Sequence, residues 1–225
     1  MKHYFFLALD WSEVWALMIP LSVLLLRRQQ PSSLRPVIIY LWLGLLINIV
    51  IDIIMAINVY LDRAALSNNP LYNIHSVVRF GCFSLYFIHL QKNSFTRLKK
   101  FLALAGIAFL VVNFIFFENF FNSGSFSGNL LSVEAYLLLV YCMLYYLAEL
   151  KDESNLFNNP HFWVVTGLSI YVVINFFVFL FYIPMLDVNL HLAVDIWNIH
   201  NIAFIIFCFF IAKAFYGTAR YQYSV

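Results

Sequence analysis

Seven apolar stretches divide the chain, and polar or helix-breaking segments separate them. Each stretch can form a helix of roughly 20 residues, the length that crosses the hydrocarbon core of a bilayer. We therefore predict seven transmembrane helices, near residues 5–27, 36–61, 70–91, 100–121, 129–149, 160–184 and 190–215. Pro36, Pro70 and Pro160 stand at the start of three of them, where a helix tolerates the missing N–H.

Composition supports the same fold class. Of the 225 residues, 64% are hydrophobic and only 11% are charged, whereas soluble domains carry about 25% charged residues. We therefore expect an all-α integral membrane protein with residues 1–225 in a single membrane domain. The net charge of +2 gives no reason to expect nucleic-acid binding. Cys82, Cys142 and Cys208 lie inside apolar runs without CxxC spacing, which is typical of small packing residues, and no cofactor is expected.

The basic residues are distributed unevenly between the two sides of the predicted bundle. One side carries Arg27, Arg28, Arg35, Lys92, Arg97, Lys99, Lys100, Lys151, Lys213 and Arg220. The opposite side has only Lys2 and Arg63. Cytoplasmic loops are enriched in Lys and Arg, so this distribution predicts an outside N-terminus, a cytoplasmic C-terminus and a multi-pass protein of the bacterial inner membrane. The predicted loops are short, so we expect a signal or substrate to act through the bundle or through a partner.

An internal repeat is predicted from matching polar residues. Tyr-Asn-Ile-His at 72–75 corresponds to Trp-Asn-Ile-His at 197–200, and Glu13 corresponds to Glu134. A third match aligns Asp52 with Asn175. We therefore predict a parallel 3+1+3 repeat: repeat one in residues 1–91, a linker helix at 100–121 and repeat two at 129–215. Its pseudo-axis would run along the membrane normal.

Asp52 and Arg79 each lie nine residues from the outer end of their predicted spans, and so at one depth. An unpaired charge at such a depth costs at least about 2.5–3.5 kcal/mol. This predicts an Asp52–Arg79 ion pair, either as a structural contact or as part of a ligand or proton site. In repeat two the corresponding residues, Asn175 and Phe204, are both uncharged, as expected if the pair was lost as a unit.

The polar residues within the spans collect toward the outer leaflet, which predicts a pocket open to the outside and closed toward the cytoplasm. The aromatic residues that precede the repeated Asn-Ile-His are interpreted either as pocket walls for a flat or apolar ligand or as plain packing. The candidate ligand-binding residues are Glu13, Asp52, Tyr72, His75, Arg79, Glu134, Asn175, Asp195, Trp197 and His200. The two glutamates and two histidines could suit zinc, but they lack ligand spacing, so we expect two Glu–His hydrogen bonds, one per repeat.

Two family resemblances follow from these features. The 3+1+3 organisation resembles that of the sugar-carrying SWEET and PQ-loop transporters, which also have an outside N-terminus. Two short motifs resemble standalone seven-helix bacterial membrane proteins associated with sensor histidine kinases: Asn-Pro-x-Phe-Trp-x-x-x-Gly-x-x-x-Tyr at 159–171 and Trp-x-Ile-His at 197–200. The second resemblance implies a sensory or partner-binding bundle without catalysis of its own.

The leading functional hypothesis is a membrane sensor or ligand-binding protein that passes its state to a membrane or cytoplasmic partner such as a histidine kinase. The first alternative is a small-solute or proton-coupled transporter, in which Asp52, His75 and His200 titrate during the cycle. The second alternative is an intramembrane enzyme, although no nucleophile, zinc or phosphate-loop motif occurs. The lipid bilayer is the expected environment, and homo-oligomers are compatible with the hypothesis.

Overall fold

The computed structural model describes residues 9–61, 67–90, 95–121, 127–150 and 156–222, and these ranges are helical without any strand. The α-helices are Ser12–Leu26 (α1), Arg35–Tyr60 (α2), Asn69–His89 (α3), Thr96–Phe116 (α4), Gly128–Glu149 (α5), Pro160–Val188 (α6) and Leu190–Gln222 (α7). Two short 3₁₀ helices, Ser32–Leu34 and Leu156–Asn158, precede α2 and α6. The predicted all-α class is confirmed; positions 5–8 of the first predicted span lie outside the described residues.

Several helices are long and apolar enough to cross a membrane. Within the described ranges there are five such segments: Ser32–Tyr60, Thr96–Phe116, Gly128–Glu149, Pro160–Tyr182 and Leu190–Gly217. Helix α1 is apolar but shorter. Helix α3 is less apolar because its first half carries polar side chains, and those of Asn73, His75, Ser76 and Arg79 are buried. These segments indicate a multi-pass membrane protein.

The helix boundaries agree with the sequence at several turns and differ at others. Pro36, Pro70 and Pro160 lie in the first turns of α2, α3 and α6, as predicted. Helix α6 continues through Pro184 to Val188, beyond the predicted end at residue 184, and the chain turns at Asn189. Proline removes one backbone donor without preventing the following turn from closing, and the Asn189 N–H donates to the Met185 carbonyl at 2.8 Å.

Helix α4 ends at Phe116 rather than at the predicted residue 121, and a local hydrogen-bond network explains the difference. The Asn113 carbonyl accepts the N–H groups of Phe117 and Glu118, at 2.9 and 2.8 Å. The Asn113 side-chain amide donates to Glu118 Oε2 at 2.7 Å. These bonds satisfy carbonyl groups that a helix end leaves without partners.

Helices α3 and α7 occupy central positions in the bundle. Helix α7 packs along α6 and α1, whereas α3 packs against α2, α5 and α4. Between them lies a layer of four fully buried aromatic side chains, Tyr40, Phe83, Tyr171 and Phe207. Phe207 contacts both Phe83 and Tyr171, with ring centroids 5.8 and 5.2 Å apart. This aromatic layer joins helices α2, α3, α6 and α7 in the core.

Close approach of α6 and α7 depends on Gly167. A Cβ atom added there would lie 2.4 Å from Phe210 Cβ. Because that Phe210 atom is attached directly to the α7 backbone, the clash can be relieved only by moving the helix. Gly81 on α3 differs, since a Cβ there would meet nothing within 4 Å.

We therefore expect Gly167→Ala to reduce the free energy of unfolding by about 1–3 kcal/mol through overpacking. Gly81→Ala is the matched control and should keep or raise stability, because Ala favours the helix more than Gly does. Thermal unfolding of both variants in detergent measures the difference. Equal melting temperatures would contradict the close α6–α7 contact.

Candidate functional site

A small polar cavity lies in the half of the bundle where α1, α3 and α7 begin. Its volume is about 20 Å³, which is room for roughly one water molecule. We call it the inner cavity. Six predicted site residues line it: Glu13, Tyr72, His75, Arg79, Trp197 and His200. The structure therefore brings together residues from both predicted repeats.

Arg79 pairs with Glu134, and the predicted Asp52–Arg79 ion pair is wrong. Arg79 Nε and Nη2 donate to the two Glu134 carboxylate oxygens at 2.6 and 2.7 Å, a bidentate contact between nearly buried side chains. Ser76 Oγ donates to the same carboxylate. Arg79 Nη1 donates to Tyr171 OH at 2.6 Å. The prediction used the equal depth of Asp52 on α2 and Arg79 on α3. Depth does not fix the helix face, and Arg79 lies on the face of α3 that is directed toward α5 and α6.

A second polar network crosses the bundle through His200. Asn175 Nδ2 donates to the Tyr171 carbonyl at 2.8 Å, so its Oδ1 is left to accept the Nδ1–H of His200. The other ring nitrogen, Nε2, lies 3.1 Å from Glu13 Oε1. Because His200 donates its Nδ1–H to Asn175, a neutral Nε2 and an ionised Glu13 Oε1 would face each other with lone pairs only. The contact between these two atoms therefore requires one further proton. The contact is therefore either an imidazolium–carboxylate pair or a neutral imidazole accepting from a carboxylic acid.

Neither glutamate contacts the histidine of its own repeat, so the predicted Glu–His pairs are wrong. One Glu–His hydrogen bond was expected within each repeat, but Glu13 on α1 contacts His200 on α7, and Glu134 on α5 contacts Arg79 on α3. His75 contacts neither carboxylate within the described residues. Its ring stacks on Tyr40, with centroids 5.8 Å apart, and its Nε2 is buried without a hydrogen-bond partner in the described structure. The buried ring nitrogen lies against Gly44, where a Cβ atom would be 3.4 Å from it.

Four predicted residues are not part of the inner cavity's lining; one of them, Glu134, is the buried partner of Arg79 described above. Asn175 is fully buried but acts through His200. Asp52 is half-buried on α2, and its Oδ2 has no hydrogen-bond partner among the described residues. Asp195 is exposed on α7. Across the described ranges no group of three or more His, Cys, Asp and Glu side chains could hold a metal ion.

Ser76 and Tyr171 take part in the site but were not predicted. Ser76 directly follows His75, and Tyr171 lies one helical turn before Asn175, so helical spacing offered a signal for both. Serine and tyrosine occur throughout apolar helices, so their presence at these positions does not by itself indicate a site. What distinguishes these two is their contact with Arg79 and Glu134, which only the fold brings together.

A larger cavity lies beyond the inner one, at the end of the bundle where α1 begins. It encloses about 410 Å³, and Tyr72 and Trp197 line both cavities. We call it the vestibule; its polar residues are Asp10, Asn68, Asn69 and Asn198. The Tyr72 and Trp197 rings meet edge to face, with centroids 5.8 Å apart, and Trp197 stacks on His200 at 4.9 Å. This aromatic pair therefore separates the vestibule from the polar networks.

Comparison of the chain with protein-family models, with curated proteins and with solved structures gave no match. No relative therefore supplies an activity or a binding site for this chain. The resemblances to SWEET and PQ-loop transporters and to kinase-associated membrane proteins stay predictions. The two cavities and the polar networks beside them are the basis for a functional proposal.

Breaking the Arg79–Glu134 contact should be costly. We expect Glu134→Gln to reduce the free energy of unfolding by about 3–5 kcal/mol, because it leaves a buried guanidinium without its counter-charge. Asp52→Asn is the control and should change stability by no more than about 0.5 kcal/mol, since Asp52 pairs with no described residue. Chemical unfolding in detergent measures both. A larger loss for Asp52→Asn than for Glu134→Gln would reinstate the rejected ion pair.

Proposed function

We propose that this protein is a seven-span membrane sensor that binds a small ligand at its outer end and passes the change to a partner. The observation that carries the proposal is the Tyr72–Trp197 pair, which stands between a ligand-sized vestibule and a water-sized polar cavity. Small-molecule sites commonly enclose about 300–1,000 Å³, so the vestibule has a suitable size. The site is proposed to face outward in the bacterial inner membrane.

The positions of the basic residues support this orientation. The vestibule lies at the starts of α1, α3 and α7, whereas the described basic side chains lie near the opposite helix ends. These residues are Arg27, Arg28, Arg35, Arg97, Lys99, Lys100 and Lys213. Under the positive-inside rule that end is cytoplasmic. Lys2, Arg63, Lys92 and Lys151, which also entered the sequence prediction, lie outside the described residues, as does the side chain of Arg220.

The glutamate contacts support the proposed parallel repeat. In the repeat, α1 corresponds to α5, and α3 corresponds to α7. Helix α1 packs on α7, and its counterpart α5 packs on α3. Glu13 and Glu134 each contact the other repeat, at His200 on α7 and at Arg79 on α3; the two helices correspond, whereas the two partner residues do not. This helix packing is the arrangement that a two-fold pseudo-axis along the membrane normal would produce.

The same contacts suggest how a ligand could act at a distance. A ligand that enters between Tyr72 and Trp197 must separate α3 from α7 at the vestibule. Arg79 ties α3 to α5, and His200 ties α7 to both α1 and α6. Movement of either aromatic residue would therefore be transmitted through buried polar contacts to helices that reach the basic end. We propose that a partner reads the change there.

The proposed orientation can be tested by cysteine labelling in a variant whose three native cysteines are replaced by alanine. Val188→Cys is exposed near the vestibule, and Ser32→Cys is exposed at the opposite end. We expect a membrane-impermeant maleimide to label Val188→Cys in intact cells and to label Ser32→Cys only after the membrane is opened. The reverse pattern would place the vestibule in the cytoplasm.

The sensor proposal can be tested by lysine-specific cross-linking in native membranes. Lys100 and Lys213 are exposed at the basic end, so a cytoplasmic partner seated there should cross-link through them. We expect one signalling protein to be recovered at a fixed ratio. The Lys100→Gln, Lys213→Gln double variant should lose this product. Cross-links confined to copies of the chain itself would contradict partner signalling.

The proton between Glu13 and His200 favours a proton-coupled transporter as the second candidate. Transport would need a proton path from the inner cavity to the basic end of the bundle. The aromatic layer of Tyr40, Phe83, Tyr171 and Phe207 fills the core there, which argues against such a path. The sensor proposal predicts that pyranine-loaded proteoliposomes under an imposed potential take up protons no faster than pyranine-loaded liposomes without protein. Faster uptake that Glu13→Gln abolishes would favour transport.

An enzyme would need a substrate-sized space around His200, and the inner cavity holds about one water molecule.

A further inference from the structure

Three aromatic side chains and a carboxylate meet in the vestibule. Trp197 contacts Tyr72 on one side and Tyr182 on the other, with ring centroids 5.8 and 5.0 Å apart. We call these three residues the aromatic cluster. Asp10, at the start of α1, lines the same cavity, as do the amides of Asn68 and Asn69. The cavity lining therefore combines aromatic rings, one carboxylate and neutral polar groups.

We propose that the vestibule binds an organic cation, namely a substituted ammonium group, between the aromatic cluster and Asp10. This inference rests on the proposed ligand-binding function and names the chemical class of its ligand. Aromatic faces attract ammonium groups through the ring quadrupole, and tryptophan does so best. A carboxylate at the rim supplies the long-range attraction that brings a cation to the cavity.

The charges around the vestibule select for a cation over an anion. Asp10 lines the vestibule itself, and Asp52 is within electrostatic range of it. Glu13, behind the Tyr72–Trp197 pair, shares one proton with His200, so these two groups together carry no net charge. The guanidinium of Arg79 is already neutralised by Glu134 through two short hydrogen bonds. Among the described lining residues there is no lysine or arginine. The carboxylate of Asp10 is therefore the charged group among the described lining residues, and it favours a cation over an anion.

The size of the cavity limits the ligand to a small molecule or a lipid headgroup. A volume of about 410 Å³ accommodates a trimethylammonium group with a short attached chain. Such a group occurs both in free solutes and in phosphatidylcholine headgroups. The recognised chemistry is the same in the two cases, so the experiment must separate them by lipid composition.

The test measures equilibrium binding of radiolabelled choline to the full-length chain in nanodiscs of phosphatidylglycerol, which has no ammonium group. The matched neutral probe is 3,3-dimethylbutan-1-ol, in which carbon replaces the charged nitrogen; its binding is read by competition. We expect choline to bind and the neutral probe to compete at least about tenfold more weakly. Nanodiscs of phosphatidylcholine should weaken choline binding if the headgroup enters the vestibule and leave it unchanged if a free solute is the ligand.

Variants locate the site. Asp10→Asn and Tyr182→Leu should each weaken choline binding about tenfold while leaving the melting temperature close to that of the parent. The matched controls are Asp195→Asn, an exposed carboxylate outside the vestibule, and Trp42→Leu, an exposed tryptophan on α2. Both should bind choline within twofold of the parent, a difference of about 0.4 kcal/mol.

The outcomes separate this inference from the function on which it rests. Equal binding of choline and the neutral probe, or unchanged affinity in Asp10→Asn and Tyr182→Leu, would overturn cation recognition but leave a ligand-binding vestibule. Failure of the parent protein to bind choline at millimolar concentration would also overturn it. Absence of a cross-linked partner in the parent protein, in the experiment with Lys100 and Lys213, would instead contradict the sensor proposal itself.

Discussion

Burying charge inside an apolar helical bundle is the constraint on which this structure depends. A guanidinium or carboxylate without a partner in such surroundings is strongly destabilising. Arg79 is therefore held by both oxygens of Glu134, and the Glu13 carboxylate meets a ring nitrogen of His200 across a shared proton. Each contact joins helices far apart in the chain. The polar residues thus fix how the first three helices sit against the last three.

The same contacts place the aromatic pair at the boundary between two very different spaces. Tyr72 and Trp197 stand one helical turn before residues of the polar networks on α3 and α7, so their positions are coupled to those networks. On one side is a vestibule lined by Asp10 and three aromatic rings; on the other is room for about one water molecule. Under the proposed function, a ligand bound in the vestibule would act on the structure by changing this boundary.

Much of this arrangement was readable from the sequence, and the errors have physical causes. Long apolar stretches and the prolines at 36, 70 and 160 located the helices, and the recurring Asn-Ile-His located both central histidines. The expectation that polar residues collect toward one leaflet grouped Glu13, His75, Arg79 and His200, and these four side chains line the same cavity. Depth along a helix could not decide which face each side chain occupies, so Arg79 was paired with Asp52 instead of Glu134. Partner choice depends on helix rotation and neighbour order, which a single sequence does not encode locally.

A double-mutant cycle on Arg79 and Glu134 tests the central claim most directly. Unfolding free energies are measured for the parent, Arg79→Met, Glu134→Gln and the combined variant. If the two side chains stabilise the bundle as a pair, the combined loss will be smaller than the sum of the single losses, with a coupling energy of about 2–3 kcal/mol. Additive losses, with coupling below about 0.5 kcal/mol, would contradict the account.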